Sequence, residues 1–166
     1  MNQNELEEFL ERGKNYALYL LNYRNRSKFE IEEKLKKKQY PEEVVVQILR
    51  YLEEKGFVDD RKFAIEWTRK CIKKGIAHKR VEYELRQKGI EESLIKEVFK
   101  QIFSQIDEKK MALQILYRKK YLPISDELKG EKKLKYFSKM YQFLLRRGFP
   151  NTVAREVIEG LRVQNS

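Results

Sequence analysis

Gly56-Phe57-Val58-Asp59-Asp60-Arg61-Lys62-Phe63-Ala64 closes one helix and opens the next. Glycine reaches the left-handed conformation that ends a helix without steric cost. Phe57 and Val58 follow that stop and are expected to fold back onto the core. Asp59 or Asp60 caps the new helix, because a carboxylate there accepts orphan backbone N–H groups and meets the positive end of the dipole. Phe63, Ala64, Trp67 and Cys71 then recur at helical spacing and predict a buried stripe. Two adjacent carboxylates also suit acid–base chemistry, but their place between a helix stop and a helix start assigns them to capping.

Upstream, Val44, Val45, Ile48, Leu49 and Leu52 form an apolar stripe that ends at Lys55-Gly56. Pro41 suits the first position of that helix. Ser27 and Glu30 read as a capping box for a helix with Ile31 and Leu35 inward. The first helix runs over about 4–23, with Leu6, Phe9, Leu10, Tyr16, Ala17, Leu20 and Leu21 on one side. Downstream, helices are predicted over 60–74, 78–88, 91–103, 106–120 and 131–147, with a last one opened by Pro150. Leu134, Phe137, Met140, Tyr141 and Leu144 form the inward stripe of the eighth. Residues 121–130, with Pro123 and Gly130, read as the longest loop.

Nine helices group into three sets, and the sets align. Leu35-Lys36-Lys37-Lys38-Gln39-Tyr40 matches Leu85-Arg86-Gln87-Lys88-Gly89-Ile90 and Leu144-Leu145-Arg146-Arg147-Gly148-Phe149. Each copy has a leucine, basic residues, a turn position and a large apolar residue. The offsets are 50 and 59 residues, and the loop at 121–130 accommodates the difference. One such set is small for an independent core, so neighbours must cover its apolar faces. The expected fold is all-α: an elongated, curved array of three tandem three-helix repeats over 1–57, 58–104 and 105–166.

The 37 Lys and Arg residues outnumber 26 Asp and Glu, for a formal charge of +11. That surplus favours a polyanionic partner, either nucleic acid or an acidic protein surface. One cysteine excludes an internal disulfide and fits a reducing compartment; Cys71 reads as a small buried hydrophobe. The start, Met1-Asn2-Gln3-Asn4-Glu5, is polar and acidic, so neither a signal peptide nor a membrane span is expected. With His78 as the only histidine, no metal spacing is legible. No Gly-rich phosphate loop or nucleophile–base pair appears, so neither catalysis nor a cofactor is expected.

The candidate partner- or DNA-binding residues are all cationic. Arg69, Lys70, Lys73, Lys74, Lys79 and Arg80 fall within twelve residues that contain no acid. Lys36, Lys37 and Lys38, then Arg86 and Lys88, then Arg146 and Arg147 share one register across the repeats. They either line one face of the array or each complement the end of their own helix. Residues 109–135 are also basic, with nine cations against three acids. The aromatics are read as core, although exposed tyrosines such as Tyr23, Tyr117 or Tyr121 would suit base stacking.

The Gly56–Ala64 junction carries the most specific likeness to a known family. Lys74-Gly75 leading into Val81-x-x-x-Leu85-Arg86-x-Lys88-Gly89-Ile90 is the second element, and Arg146-Arg147-Gly148-Phe149 the third. Together, across essentially the whole chain, they resemble the RecX family of RecA regulators. The resemblance implies a cytoplasmic bacterial protein that binds the RecA–single-stranded DNA filament in its helical groove. It also implies inhibition of ATP hydrolysis, of strand exchange in homologous recombination and DNA repair, and of the coprotease activity that triggers the SOS response. A monomer without a catalytic centre, binding single-stranded or duplex DNA weakly and nonspecifically, is expected. The alternative is a stand-alone DNA-binding protein whose three-helix units act like helix-turn-helix modules. A repeat scaffold for some acidic protein fits the charge but not the motifs.

Overall fold

The structure is a computed structural model and describes residues 3–165. Among these, all regular structure is helical: α1 (Gln3–Tyr23), α2 (Lys28–Lys37), α3 (Glu42–Glu54), α4 (Asp60–Lys73), α5 (His78–Gln87), α6 (Glu92–Ile102), α7 (Glu108–Arg118), α8 (Gly130–Arg146) and α9 (Asn151–Gln164). A short 3₁₀ turn, Phe103–Gln105, precedes α7.

Six helices stop in the same way. The residues Gln39, Gly56, Gly75, Gly89, Lys120 and Gly148 all have positive φ. The next N–H returns to a carbonyl five residues back: Tyr40 to Leu35, Phe57 to Leu52, Ile76 to Cys71, Ile90 to Leu85, Tyr121 to Leu116 and Phe149 to Leu144. This is the Schellman arrangement, which satisfies carbonyls that the helix leaves unpaired. At the junction, Asp59 is the α4 cap, accepting the Lys62 N–H at 3.0 Å. Asp60 serves a different helix, accepting the Lys28 N–H at 2.8 Å in the first turn of α2. Ser27 and Glu30 form the expected capping box. Pro41 and Pro150 stand one place before their helices, where their carbonyls accept the Val45 and Ala154 N–H groups at 3.0 and 2.9 Å.

The chain divides into two compact units, one of residues 1–66 with 85–98 and one of residues 67–84 with 99–166. In the first, α1, α2 and α3 enclose Ala17, Ile31, Leu35, Val44, Ile48 and Leu52. Gly13 on α1 has no side chain to hold it off: a Cβ there would lie 2.3 Å from Ile48 Cδ1. In the second, α8 and α9 pack with α7 around Ile115, Leu116, Phe137, Met140, Leu144 and Phe149. Burying each large apolar side chain contributes about 1.5 to 3 kcal/mol. The division cuts α4, α5 and α6, so each unit holds a terminal three-helix set plus part of the middle one.

Two expectations at single residues are corrected. Val58 is buried as expected, but Phe57 is 47% exposed, its ring beside Tyr51. Leu134 is 58% exposed, because the packed stripe of α8 begins a turn later at Phe137. The long loop is anchored, with Ile124 buried and Leu122 and Leu128 packed on the α7–α9 core. Tyr121 lies there too, its ring centroid 5.1 Å from that of Phe143, and so offers no stacking surface.

Candidate polyanion-binding surface

The C-terminus of α4 leaves backbone carbonyls without helical partners. Two guanidiniums from distant positions fill two of these vacancies. Arg118, at the end of α7, donates to the Lys73 carbonyl at 2.9 Å, and Arg147, after α8, donates to the Lys74 carbonyl at 2.9 Å. Cations are favoured at this end of a helix dipole. Lys73, Lys74, Arg118, Lys119 and Arg147 therefore line one groove with Ile115, and no acid is among them.

A second groove shares Arg147 and adds Lys79, Arg80, Tyr83 and Arg146. Its position follows from one tight backbone contact. The Ala77 N–H donates to the Arg147 carbonyl at 2.8 Å, which seats the end of α8 against the start of α5. Gly148 makes this approach possible, since a Cβ there would lie 2.4 Å from the Arg80 nitrogen. The one carboxylate in this groove, Glu84, is engaged: it accepts from Arg80 Nε and Trp67 Nε1, each at 3.1 Å. Lys73, Lys74, Lys79, Lys119 and Arg146 are exposed and stand without an ion pair among the described residues. An apolar groove adjoins, where Ile72, Met111, Leu113 and Tyr117 meet Lys73 and Arg118.

The other candidates have different surroundings. Lys36 pairs with Glu32 at 2.6 Å and Glu42 at 3.5 Å, while Lys38 sits 5.6 Å from the Tyr16 ring centre. Lys37 and Arg69 are exposed, and Lys70 lies over the Trp67 ring at 5.6 Å. Arg86 pairs with Glu92 at 2.9 Å. Lys88 is the least accessible: it pairs with Glu30 at 3.2 Å and lies over the Phe63 ring. The shared register thus gives paired cations in the first unit, at Lys36, Arg86 and Lys88, and groove-lining ones in the second, at Arg146 and Arg147. Arg118, Lys119 and Tyr83 were not singled out by sequence as groove residues; the basic surplus over 109–135 was the available signal for the first two.

His78 and Cys71 have local structural surroundings. His78 Nδ1 lies 2.7 Å from Glu108 Oε1, and its ring meets Phe103 edge-on. Burial, with Glu84 adjacent, pushes the Cys71 thiol up to about 12, which leaves it protonated at neutral pH. Among the described residues no group of three or more His, Cys, Asp or Glu side chains is placed to hold a metal ion. No helix there is long and apolar enough to cross a membrane.

Three-helix sets with repeated stops define a class, the all-α helical-repeat proteins. Within it, residues 14–52 match the RecX first three-helix domain and residues 59–98 the RecX second three-helix domain. The chain is 30% identical to the regulatory protein RecX of Mycolicibacterium smegmatis over 89% of this chain and 78% of that one. It is 32% identical to the regulatory protein RecX of Haemophilus influenzae over 81% and 85%. The crystal structure of RecX from Lactobacillus salivarius superposes with a TM-score of 0.71, covering 95% of this chain and 99% of that one at 20% identity. The chain belongs to the RecX family of regulatory proteins.

Proposed function

We propose that this chain regulates the RecA recombinase by binding the RecA–single-stranded DNA filament in its helical groove. The observation that carries the reading is the pair of adjoining basic grooves, within a chain of the RecX family. Exposed cations without carboxylate partners have no internal use for their charge and are suited to meet a polyanion. On this reading the three-helix repeats each make weak contacts with successive subunits of the filament. Tethering them in one chain raises the effective concentration of each for the next. Tighter binding to an inactive filament state draws the population toward it and slows ATP turnover, strand exchange and coprotease action. The protein performs no chemistry of its own and works as a cytoplasmic monomer.

The test is ATP hydrolysis by the cognate recombinase on single-stranded DNA, measured while this chain is titrated in. Inhibition at substoichiometric ratios is expected. A variant with Lys73, Lys74, Lys79 and Arg146 changed to Glu should keep its helicity and inhibit at least tenfold more weakly. No inhibition by the natural chain at any ratio, with filaments demonstrably present, would abandon the regulator reading in favour of stand-alone DNA binding.

A further inference from the structure

We propose that the groove between the first turns of α5 and the end of α8 is a subsite for single-stranded nucleic acid, in which a base stacks on Tyr83 while Lys79 and Arg146 hold flanking phosphates. The inference rests on the polyanion reading of this surface and names which polyanion it takes.

Tyr83 is the aromatic residue of this groove, and 53% of it is exposed in mid-helix. The ring is nevertheless braced. The Arg80 guanidinium lies over it, 5.3 Å from the ring centre. Arg80 is oriented in turn by Glu84 at 3.1 Å, and Glu84 by the Trp67 indole N–H at 3.1 Å. A flat ring held by a guanidinium is a stacking platform of the sequence-tolerant kind, because every base offers a π face.

The phosphate contacts flank it. Lys79 lies four residues before Tyr83, so both project from one face of α5. Arg146 reaches the same groove from α8, and neither cation has a carboxylate partner among the described residues. Ile76 and Leu145 supply an apolar lining. The groove is fixed by the Ala77–Arg147 backbone bond and by the close approach at Gly148, so its two sides are positioned before a ligand arrives. Duplex DNA keeps its bases stacked inside and offers this groove phosphates alone. An acidic protein surface offers charge but no base. Of these polyanions, an unpaired strand alone presents bases to the ring together with phosphates to the cations.

The experiment measures binding of the full chain to fluorescently labelled dT12, to a 12-mer of the same charge made of abasic sites, and to a 12-base-pair duplex, over a range of salt. The expected order is dT12 about tenfold tighter than the abasic strand. Tyr83→Ala should erase that preference and leave the salt slope unchanged, whereas Tyr83→Phe should retain it. Lys79→Gln with Arg146→Gln should weaken both strands and reduce the slope by about 1.4. Circular dichroism checks that the variants remain folded. Equal affinity for dT12 and the abasic strand, a preference that survives Tyr83→Ala, or tighter binding of the duplex would each overturn the proposal. The same variants in the ATP hydrolysis assay separate the two readings. Inhibition without a Tyr83-dependent preference removes the subsite and keeps the regulator; the preference without inhibition does the reverse.

Discussion

At the scale of single residues, two glycines with similar backbones carry different burdens. Gly56 has φ +70 and nothing within 4 Å of where a Cβ would stand. Gly148 has φ +85, and a Cβ there would meet the Arg80 nitrogen at 2.4 Å and its Cβ at 2.5 Å. Gly56→Ala therefore suffers only left-handed strain, about 1 kcal/mol. Gly148→Ala adds a clash with the first turn of α5, which backbone cannot yield cheaply, and should cost about 3 kcal/mol or more. Gln39 and Lys120 hold the same turn with φ 60 and a side chain, so they already bear the strain that glycine avoids. Changing either to Gly should raise stability by about 0.5 kcal/mol, since relief of strain outweighs the added freedom of the unfolded chain. Urea midpoints at constant m-value measure all four. Equal costs at 56 and 148 would mean that the close approach at Gly148 is not a rigid contact. The turn positions themselves were legible, because a helix stop is a local signal. What a Cβ would strike at Gly148 was not, because the obstacle lies about seventy residues away in sequence.

At the scale of the element, the N-terminus of α2 shows one helix start shared by two neighbours. Ser27 accepts the Glu30 N–H and donates its hydroxyl to the Lys88 carbonyl at 2.7 Å. Burial alone would push the Glu30 carboxyl up, but the Arg24 guanidinium at 2.7 Å and the Lys88 ammonium at 3.2 Å together hold it below its ordinary value. Asp60 moves the other way: burial raises it, and the hydrogen bond from the Lys28 N–H does not offset this. The signs are opposite. A lowered carboxyl stabilises the fold above its unfolded pKa, and that contribution is lost as pH falls through the folded value. A raised carboxyl destabilises it when ionised, and the penalty fades as pH falls through the raised value. Glu30→Gln should cost about 1 to 2 kcal/mol at pH 7, shrinking below about pH 4.5. Asp60→Asn keeps an acceptor for the Lys28 N–H, and should leave the pH 7 midpoint unchanged or raised, with the gain shrinking in acid. Unfolding curves between pH 3 and 7 decide it: a Glu30→Gln deficit that stays constant across the range would remove the charge from the explanation. The capping box was plain from Ser27 and Glu30 alone. The assignment of Asp59 to its own helix and Asp60 to another needed the fold, because adjacent carboxylates look alike in a sequence.

At the scale of the whole molecule, the helices and their repeat were readable because apolar spacing and turn residues act over a few positions. The grooves were not, because they join residues such as Lys74 and Arg147, 73 positions apart. The shared register of basic residues suggested one common role for Lys36, Arg86 and Arg146, and their surroundings distinguish them. Lys36 and Arg86 lie against carboxylates at 2.6 and 2.9 Å, whereas Arg146 lines an open groove beside Arg147. Charge already neutralised by a neighbouring carboxylate releases few counterions when a polyanion arrives, while an unpaired cation releases nearly a full share. The salt dependence of binding should therefore count groove cations and not register positions. Six exposed cations in the grooves have no carboxylate partner among the described residues, Lys73, Lys74, Lys79, Arg118, Lys119 and Arg146, and they give a log–log slope of about −4 on single-stranded DNA if each meets one phosphate. Replacing Lys73, Lys119 or Arg146 by Gln should flatten the slope by about 0.7 each. Lys36→Gln and Arg86→Gln should change it by much less than that. Anisotropy titrations of the six proteins on dT30 from 50 to 300 mM salt supply the comparison. If Lys36→Gln and Arg86→Gln flatten the slope as much as Arg146→Gln does, the ligand follows the repeat register along the chain, and the grooves lose their privileged place as the binding surface.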